Sequence, residues 1–243
     1  MSRGTRTVFL VTCEHGGNDI PRKFAALFRG HRRLLDSHRG YDPGALDTAH
    51  DLAQALGATL VVATVSRLLV ELNRSPGRQF RNSPVMRFAR KDTRDDVCRG
   101  YYLPYRLEVE RFVARAIAGR KRVVHVSSHS FTPRLDGDVR RADIGLLYDP
   151  GRRNERELCL RWQCALVRRR PQWIVRRNYP YRGRSDGFTS YLRRRFGDDA
   201  YAGIEIEVNQ KHARSGAVPS ADRSAIARAL CEALGQTAGI VSA

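Results

Sequence analysis

The sequence predicts an α/β fold, a three-layer sandwich of helices around a mainly parallel or mixed β-sheet, in a single domain over residues 1–243. Short apolar segments rich in β-branched residues alternate along the chain with longer segments whose apolar residues recur at helical spacing. A length of 243 residues is enough for one large α/β domain, and 42% hydrophobic residues suit a packed core. No internal repeat, low-complexity segment or linker divides the chain.

The predicted elements follow this alternation from one end of the chain to the other. Strands are predicted over 8–12, 59–65, 123–128, 142–148, 172–176 and 202–208, and a further short extended run over 68–72. Helices are predicted over 21–28, 45–56, 103–118, 155–169 and 221–234, and loops over 78–100 and 178–190. In the last strand, Glu205 and Glu207 share one face because side chains alternate along a strand.

The net charge is strongly positive, because 44 Lys and Arg residues outnumber 25 Asp and Glu residues and give +19 at neutral pH. Such a charge permits nonspecific binding to nucleic acid. However, the arginines are spread along the chain, and the runs at 168–170 and 193–195 are predicted to be solvated helix faces. No nucleic-acid-binding motif is present, so we expect no specific nucleic-acid partner. The binding of a small anionic substrate better explains a few of the arginines.

The composition also bounds the location of the protein. No apolar run is long enough to span a bilayer, and we expect no membrane partner. The start of the chain lacks a small-residue cleavage site and is interpreted as leading into the first core strand. The five cysteines are widely spaced and form no CxxC pair, which favours reduced thiols in a cytoplasm. The oligomeric state does not follow from the sequence.

Polar residues stand at the ends of several apolar strands. Glu14 and His15 follow the first strand on a turn that contains two glycines, and His129 follows the third. In open α/β sheets, ligands bind beyond the carboxyl ends of the strands. Two carboxylates such as Glu205 and Glu207 are costly to bury side by side, so their face is either wet or part of a charged site.

Together these segments indicate a hydrolytic metal site. Two histidines and a carboxylate would hold one zinc ion with an open position for water. Zinc lowers the pKa of that water to about 7 and polarises a carbonyl group. A nearby glutamate can then pass the proton of the water to the leaving nitrogen. Arginines such as Arg67, Arg74 and Arg182 can bind substrate carboxylates. No GxGxxG, phosphate loop or GxSxG motif supports a nucleotide or serine-hydrolase site.

Seven segments, in order from about residue 8 to 211, resemble the N-formylglutamate amidohydrolase family. They are EHGGNDIP at 14–21, DPGA at 42–45, SRLLVELNR at 66–74, SSHSFTP at 127–133, IGLLYDP at 144–150, NYPYRG at 178–183 and GIEIEVNQ at 203–210. The family is similar in fold to zinc carboxypeptidases and to aspartoacylase-type deacylases. The resemblance implies a zinc amidohydrolase that releases formate from an N-formyl amino acid.

The resemblance also implies roles for individual residues. His15 and His129 match the metal-binding histidines of the family, and Glu207 matches the general-base glutamate. Asn73 and Arg74 match the substrate-binding DLNR motif of this fold group, with Glu71 in place of the aspartate. Arg67 matches an arginine expected near the substrate, and Arg182 in the NYPYRG segment is a further candidate for substrate binding.

The carboxylate ligand of the metal is less clear from the sequence. Carboxypeptidases and aspartoacylases carry a glutamate three residues after the first histidine, where this chain has Asn18. Asp42 is our first choice, because an aspartate recurs there in family members, and Glu14 and Asp19 are the alternatives. Asp42 also precedes a proline at the start of a helix, so a helix N-cap is an equal explanation for it.

We therefore predict a cytoplasmic, zinc-dependent amidohydrolase that acts on a small anionic N-acyl amino acid such as N-formyl-L-glutamate. One alternative is a zinc carboxypeptidase-like peptidase. The other is a basic nucleic-acid-binding protein on an inactive hydrolase fold, which metal analysis and a salt-dependent binding titration would distinguish from an enzyme.

Overall fold

One six-stranded mixed sheet forms the centre of the protein. The structure is a computed structural model and describes residues 6–236. In chain order the strands are β1 (Thr7–Cys13), β2 (Thr59–Val62), β3 (Arg122–Phe131), β4 (Arg134–Leu135), β5 (Asp138–Val139), β6 (Ile144–Leu147), β7 (Val175–Arg177) and β8 (Tyr201–Asn209). The sheet has the order β2-β1-β3-β8-β6-β7, while β4 and β5 pair separately. Strands β2, β1, β3 and β8 are parallel, and β6 is antiparallel to β8.

Helices connect most of the strands. They are α1 (Arg32–Leu35), α2 (Ala45–Leu56), α3 (Lys91–Val97), α4 (Leu103–Ala118), α5 (Arg153–Arg169), α6 (Phe188–Arg195) and α7 (Ser220–Ala233). Short 3₁₀ segments cover Arg22–Phe28, Met86–Phe88 and Gln210–His212, and a π-helical turn covers Cys98–Tyr102. No helix among residues 6–236 is long and apolar enough to cross a membrane.

The sheet separates two apolar cores, which confirms the predicted sandwich. One core packs α2, α5 and α7 against one face of the sheet, and Val11, Val126 and Ile206 point into it. The other lies beneath α4 and α6, with Leu10, Val123 and Tyr201 on the sheet side. The alternation of side chains along each strand therefore supplies both cores.

Two loop predictions were wrong. The segment 78–100 was predicted to be a loop, because its polar residues show no helical spacing of apolar side chains. It contains the 3₁₀ segment Met86–Phe88, α3 and the start of the π-helical turn. Met86 and Val97 are fully buried there and fix these helices against the second core. The predicted loop 178–190 also ends early, because α6 begins at Phe188.

The helix predicted over 21–28 is present as a 3₁₀ helix over Arg22–Phe28. Two further predictions need correction. Residues 68–72 are not extended, because the amides of Leu69 and Val70 donate to the carbonyl oxygen of Ser66 and close a turn. Arg193 is not on a solvated helix face, because it is 9% exposed and pairs with the buried Glu155 at 3.0 Å.

Candidate active site

His15 lies on a tight turn directly after β1. The amide of Gly16 donates to the carbonyl oxygen of Ala63 at 2.9 Å, so the turn packs against the chain that leaves β2. A side chain at Gly17 would meet the carbonyl oxygen of Thr64 at 2.6 Å. The two glycines are therefore required by the close approach of two backbones. The turn places the imidazole of His15 at the carboxyl edge of the parallel strands.

The next two strands bring His129 and Glu207 to the same edge. They are register partners on β3 and β8 and therefore share one face of the sheet. Glu205 precedes Glu207 on the same face of β8 and lies opposite Ser127 of β3. The other face of β8 carries Ile204, Ile206 and Val208, as its apolar and acidic alternation predicts.

Asp42 joins the two histidines. Its backbone amide donates to the carbonyl oxygen of His15 at 2.9 Å. Its Oδ2 atom lies 3.0 Å from Nδ1 of His15 and 2.9 Å from Nδ1 of His129. All three residues are buried, and their candidate ligand atoms lie within 4.8 Å of one another. The side chain of Asp42 does not cap α2, whose N-cap residue is Gly44.

The other candidate carboxylates lie elsewhere. Glu14 is buried on the far side of His129, where it accepts hydrogen bonds from Ser127 at 2.6 Å and Tyr105 at 3.0 Å. Asp19 is exposed, and Asn18 donates to Leu35 and Asp36 away from the histidines. Among the three candidates, the geometry brings only Asp42 to the Nδ1 atoms of both histidines.

The outer nitrogen of each imidazole, Nε2, contacts a further carboxylate. Nε2 of His15 contacts Oε1 of Glu71 in a very short hydrogen bond. Nε2 of His129 lies 2.9 Å from Oγ of Ser127 and 3.2 Å from Oε2 of Glu14. Such outer partners orient metal-binding histidines. Sequence reasoning considered Glu71 only as a variant of a motif, and missed this contact.

Arg67 connects the carboxylates of this cluster. It donates to Oε2 of Glu71 through Nε at 2.9 Å and through Nη2 at 2.5 Å, and to Oδ1 of Asp42 through Nη1 at 3.1 Å. Its side chain is 25% exposed and lines the cavity described below. The predicted contact of Arg67 with substrate stays a prediction, because these donors already bind protein carboxylates.

The charges of the cluster are strongly coupled. Burial alone would raise the pKa of Asp42, but His15 and Arg67 hold it well below its usual value. For Glu71, Arg67 and His15 likewise outweigh the effect of burial and lower the pKa. Burial alone would lower the pKa of His129, but its hydrogen bonds to Asp42 and Glu14 raise it well above the usual value.

The carboxylate of Glu207 is incompletely bound. Among the described residues its buried Oε2 atom has no hydrogen-bond partner. Burial raises its pKa to about 8, although His129 opposes the shift. The neighbouring Glu205 differs, because its Oε1 accepts a hydrogen bond from Thr189 at 2.5 Å. Oε2 of Glu207 is therefore not engaged by a protein donor in the described part of the chain, unlike Oε1 of Glu205.

These groups line a cavity of about 370 Å³. His15, Asp42, His129, Glu205 and Glu207 form its acidic and imidazole floor. All four predicted substrate-binding residues line its wall, namely Arg67, Asn73, Arg74 and Arg182. Arg182 is exposed, and Arg74 donates to the backbone oxygen of Asp186 through Nη1. The volume lies within the range of small-molecule sites.

A buried arginine fixes the turn that carries Asn73 and Arg74. Arg106 on α4 is 5% exposed and donates to the carbonyl oxygens of Leu72 at 2.9 Å and Arg74 at 3.3 Å. Its guanidinium lies against the rings of Tyr102, Phe188 and Tyr191, with 4.1 Å to the Phe188 centroid. Sequence reasoning missed this residue, because a single arginine in an amphipathic helix looks like any surface arginine.

The donor set fits a divalent metal ion. Two imidazole nitrogens and one carboxylate oxygen converge, which is the ligand pattern of catalytic zinc sites with an open position. The outer nitrogens of both rings already face acceptors, as metal-bound histidines require. Glu207 lines the same cavity as the three candidate ligands, so a further carboxylate stands in the site.

Comparison with known proteins agrees with this geometry. The model of the N-formylglutamate amidohydrolase family matches residues 7–213. The chain belongs to this family. Its members are hydrolases that act on amide bonds, and the family implies a small-molecule substrate. A comparison with curated protein sequences finds no match.

Solved structures support the N-formylglutamate amidohydrolase fold. The gene product Atu2144 from Agrobacterium tumefaciens is 29% identical, with a TM-score of 0.77 over 93% of this chain and 90% of that one. The N-formylglutamate amidohydrolase from Ralstonia eutropha JMP134 is 19% identical, with a TM-score of 0.68 over 96% of this chain and 95% of that one. Both the family and the α/β sandwich predicted from the sequence are thus confirmed.

Proposed function

We propose that this protein is a zinc-dependent amidohydrolase that cleaves the amide of an N-acyl amino acid such as N-formyl-L-glutamate. The observation that carries the proposal is the convergence of His15, Asp42 and His129 beside the unpartnered carboxylate of Glu207. The family supports amide hydrolysis, and the arginines on the cavity wall suit an anionic substrate.

The proposed chemistry divides between the ion and the chain. His15, Asp42 and His129 would hold the zinc ion, which would supply a water of lowered pKa and polarise the substrate carbonyl. Glu207 accepts a proton from the attacking water and delivers it to the nitrogen as the C–N bond breaks. The products are the carboxylic acid, formate for an N-formyl substrate, and the free amino acid. The pKa of Glu207, about 8, lies close to neutral pH. A group with such a pKa can both accept and donate a proton near that pH.

We further propose that Arg74 and Arg182 bind the carboxylates of the substrate. Arg182 makes no ion pair within residues 6–236, and both side chains line the cavity. Asn73 is fixed because its Oδ1 accepts from the amide of Phe188 at 2.6 Å, while its Nδ2 lies 3.3 Å from Nε2 of His129. Asn73 also lines the cavity, so it can contact a bound ligand. A cytoplasmic location is proposed from the five free thiols.

The test is a formate-release assay alongside metal analysis of the purified protein. Wild type should contain about one zinc per chain and release formate from N-formyl-L-glutamate faster than it cleaves unacylated peptides. Glu207→Gln should keep its zinc and lose about 10²–10⁴-fold in kcat, the usual contribution of a general base. Glu205→Gln is the matched control and should lose much less. Unchanged turnover in Glu207→Gln, or full activity without metal, would contradict the mechanism.

A further inference from the structure

A second cavity of about 340 Å³ opens beside the first. Its six lining residues are Arg74, Arg78, Arg81, Asn82, Ser185 and Asp186. Four of them, Arg74, Asn82, Ser185 and Asp186, also line the cavity of the metal cluster. Because the two cavities share these residues, they are adjacent, with Arg74 at the boundary between them. We name the second part the arginine extension.

The arginine extension has an excess of positive charge. Three arginines line it against one carboxylate, that of Asp186. This carboxylate is already bound by Ser75, whose Oγ lies 2.5 Å from Oδ1 and whose amide lies 3.3 Å from Oδ2. Arg78 approaches Asp186 only at 3.7 Å, and Arg81 forms no ion pair within residues 6–236. The charges of Arg78 and Arg81 are therefore available to a ligand.

A single N-acyl amino acid does not need the arginine extension. An N-acyl amino acid bound with its amide at the metal cluster can place its carboxylates on Arg74 and Arg182 in the first cavity. A substrate that continues from its α-carboxylate through a peptide bond would pass Arg74 and enter the extension. Carboxylates on the added residue would then meet Arg78 and Arg81, which can bind them in bidentate pairs.

We propose that the substrates of this enzyme are N-acylated peptides in which an acidic residue follows the acylated one, and that Arg78 and Arg81 bind that acidic residue. This inference rests on the proposed amide hydrolysis and extends it to a substrate class. The bond that breaks remains the acyl C–N bond, so water adds to the acyl carbon and the peptide leaves with a free amine. Arg78 and Arg81 act as specificity residues at a distance from the reacting atoms.

The test compares three substrates of the zinc-loaded protein: N-formyl-glutamate, N-formyl-glutamyl-glutamine and N-formyl-glutamyl-glutamate. We expect the last to have the highest kcat/KM. In Arg78→Ala/Arg81→Ala, the ratio of its kcat/KM to that of N-formyl-glutamate should fall by about tenfold or more, because charge-assisted hydrogen bonds are lost. Arg29→Ala/Arg90→Ala removes the same charge at two exposed arginines outside both cavities, and should keep the wild-type ratio.

Two results would overturn the inference while the proposed function stands: equal kcat/KM for all three substrates, or an equal fall of the ratio in both double variants. Calorimetric binding of the product dipeptide glutamyl-glutamate supplies a readout that needs no turnover. Its affinity should fall in Arg78→Ala/Arg81→Ala and not in the control. If no substrate releases formate, the proposed function fails, and the dipeptide titration still decides whether the extension binds an acidic peptide.

Discussion

Oδ2 of Asp42 lies 2.9 Å from Nδ1 of His129, although 87 positions separate the two residues in the chain. The same oxygen lies 3.0 Å from Nδ1 of His15. One carboxylate oxygen thus faces the inner nitrogens of two imidazoles in a buried site. This relationship selects Asp42 over Glu14 and Asp19 as the carboxylate that could share an ion with both histidines.

Asp42→Asn should therefore weaken zinc binding. The amide keeps the shape of the side chain but removes the negative charge and one strong ligand oxygen. We expect a loss of at least about 100-fold in affinity, above what outer contacts of a metal site usually contribute. Competition with a chromophoric chelator measures it. Asp47→Asn, on the first turn of α2, is the matched control and should bind zinc as wild type does. Equal affinity in both variants would exclude Asp42 as a ligand.

Part of the site was predictable from strand patterns. His15, His129 and Glu207 each stand at the end of an apolar strand, and parallel strands bring their carboxyl ends to one edge. Three candidate carboxylates remained for the metal, because the segment between β1 and α2 has no periodicity that fixes its path. Only the backbone contact from Asp42 to His15 shows which one reaches the cluster.

The contacts of Glu71 and Arg106 were not predictable, because they depend on the path of a turn. Residues 68–72 look extended, since apolar side chains follow one another. In the structure they form a turn buried in the second core, which points Glu71 at His15 and exposes the carbonyl oxygens of the next residues to Arg106. Long-range packing, which local propensity does not contain, decides this conformation.

Zinc affinity should rise with pH through neutrality. Asp42 and Glu14 raise the pKa of His129 well above its usual value, so its imidazole carries an extra proton in the metal-free protein. A metal on Nδ1 must displace that proton, and metal and proton therefore compete. We expect at least one proton released per zinc bound, and about a tenfold weaker apparent affinity for each unit of lower pH. Calorimetry in two buffers of different ionisation enthalpy counts the protons. Identical heats in both buffers would contradict the prediction.

Glu207→Gln should stabilise the metal-free protein while it removes activity. Burial raises the pKa of Glu207 from 4.5 to about 8, and its Oε2 has no partner among the described residues. From pH 4.5 to about 8 the unfolded chain ionises this group while the folded protein keeps it protonated, so stability falls over that window. Glutamine does not titrate. The free energy of unfolding of Glu207→Gln should therefore exceed that of wild type by an amount that grows with pH and reaches on the order of 1–3 kcal/mol at pH 8.

Urea denaturation of the metal-free proteins from pH 5 to 9 measures this gain. Glu205→Gln is the control, because the Glu205 carboxylate is already bound to Thr189, and it should show no such pH-dependent gain. If the difference in unfolding free energy between Glu207→Gln and wild type stays constant with pH, Glu207 does not titrate in this range.

Arg106→Lys should weaken substrate binding without loss of zinc. Arg106 is buried, holds the carbonyl oxygens of Leu72 and Arg74, and stacks on Phe188, whose amide fixes Asn73. Lysine keeps the charge but lacks the planar fork that spans both carbonyls. Asn73 and Arg74 then lose their fixed direction, and we expect KM for N-formyl-glutamate to rise by about tenfold while kcat changes less.

The division between KM and kcat distinguishes this positioning role from general destabilisation. Arg111→Lys is the matched control, because Arg111 is exposed on the same helix. Unfolded protein lowers the active fraction, and so reduces apparent kcat with KM unchanged. A variant that is folded, zinc-loaded and raised in KM alone must therefore have lost the orientation of the substrate-facing turn. A lower melting temperature with unchanged KM would show instead that Arg106 serves only the packing of α4 against α6.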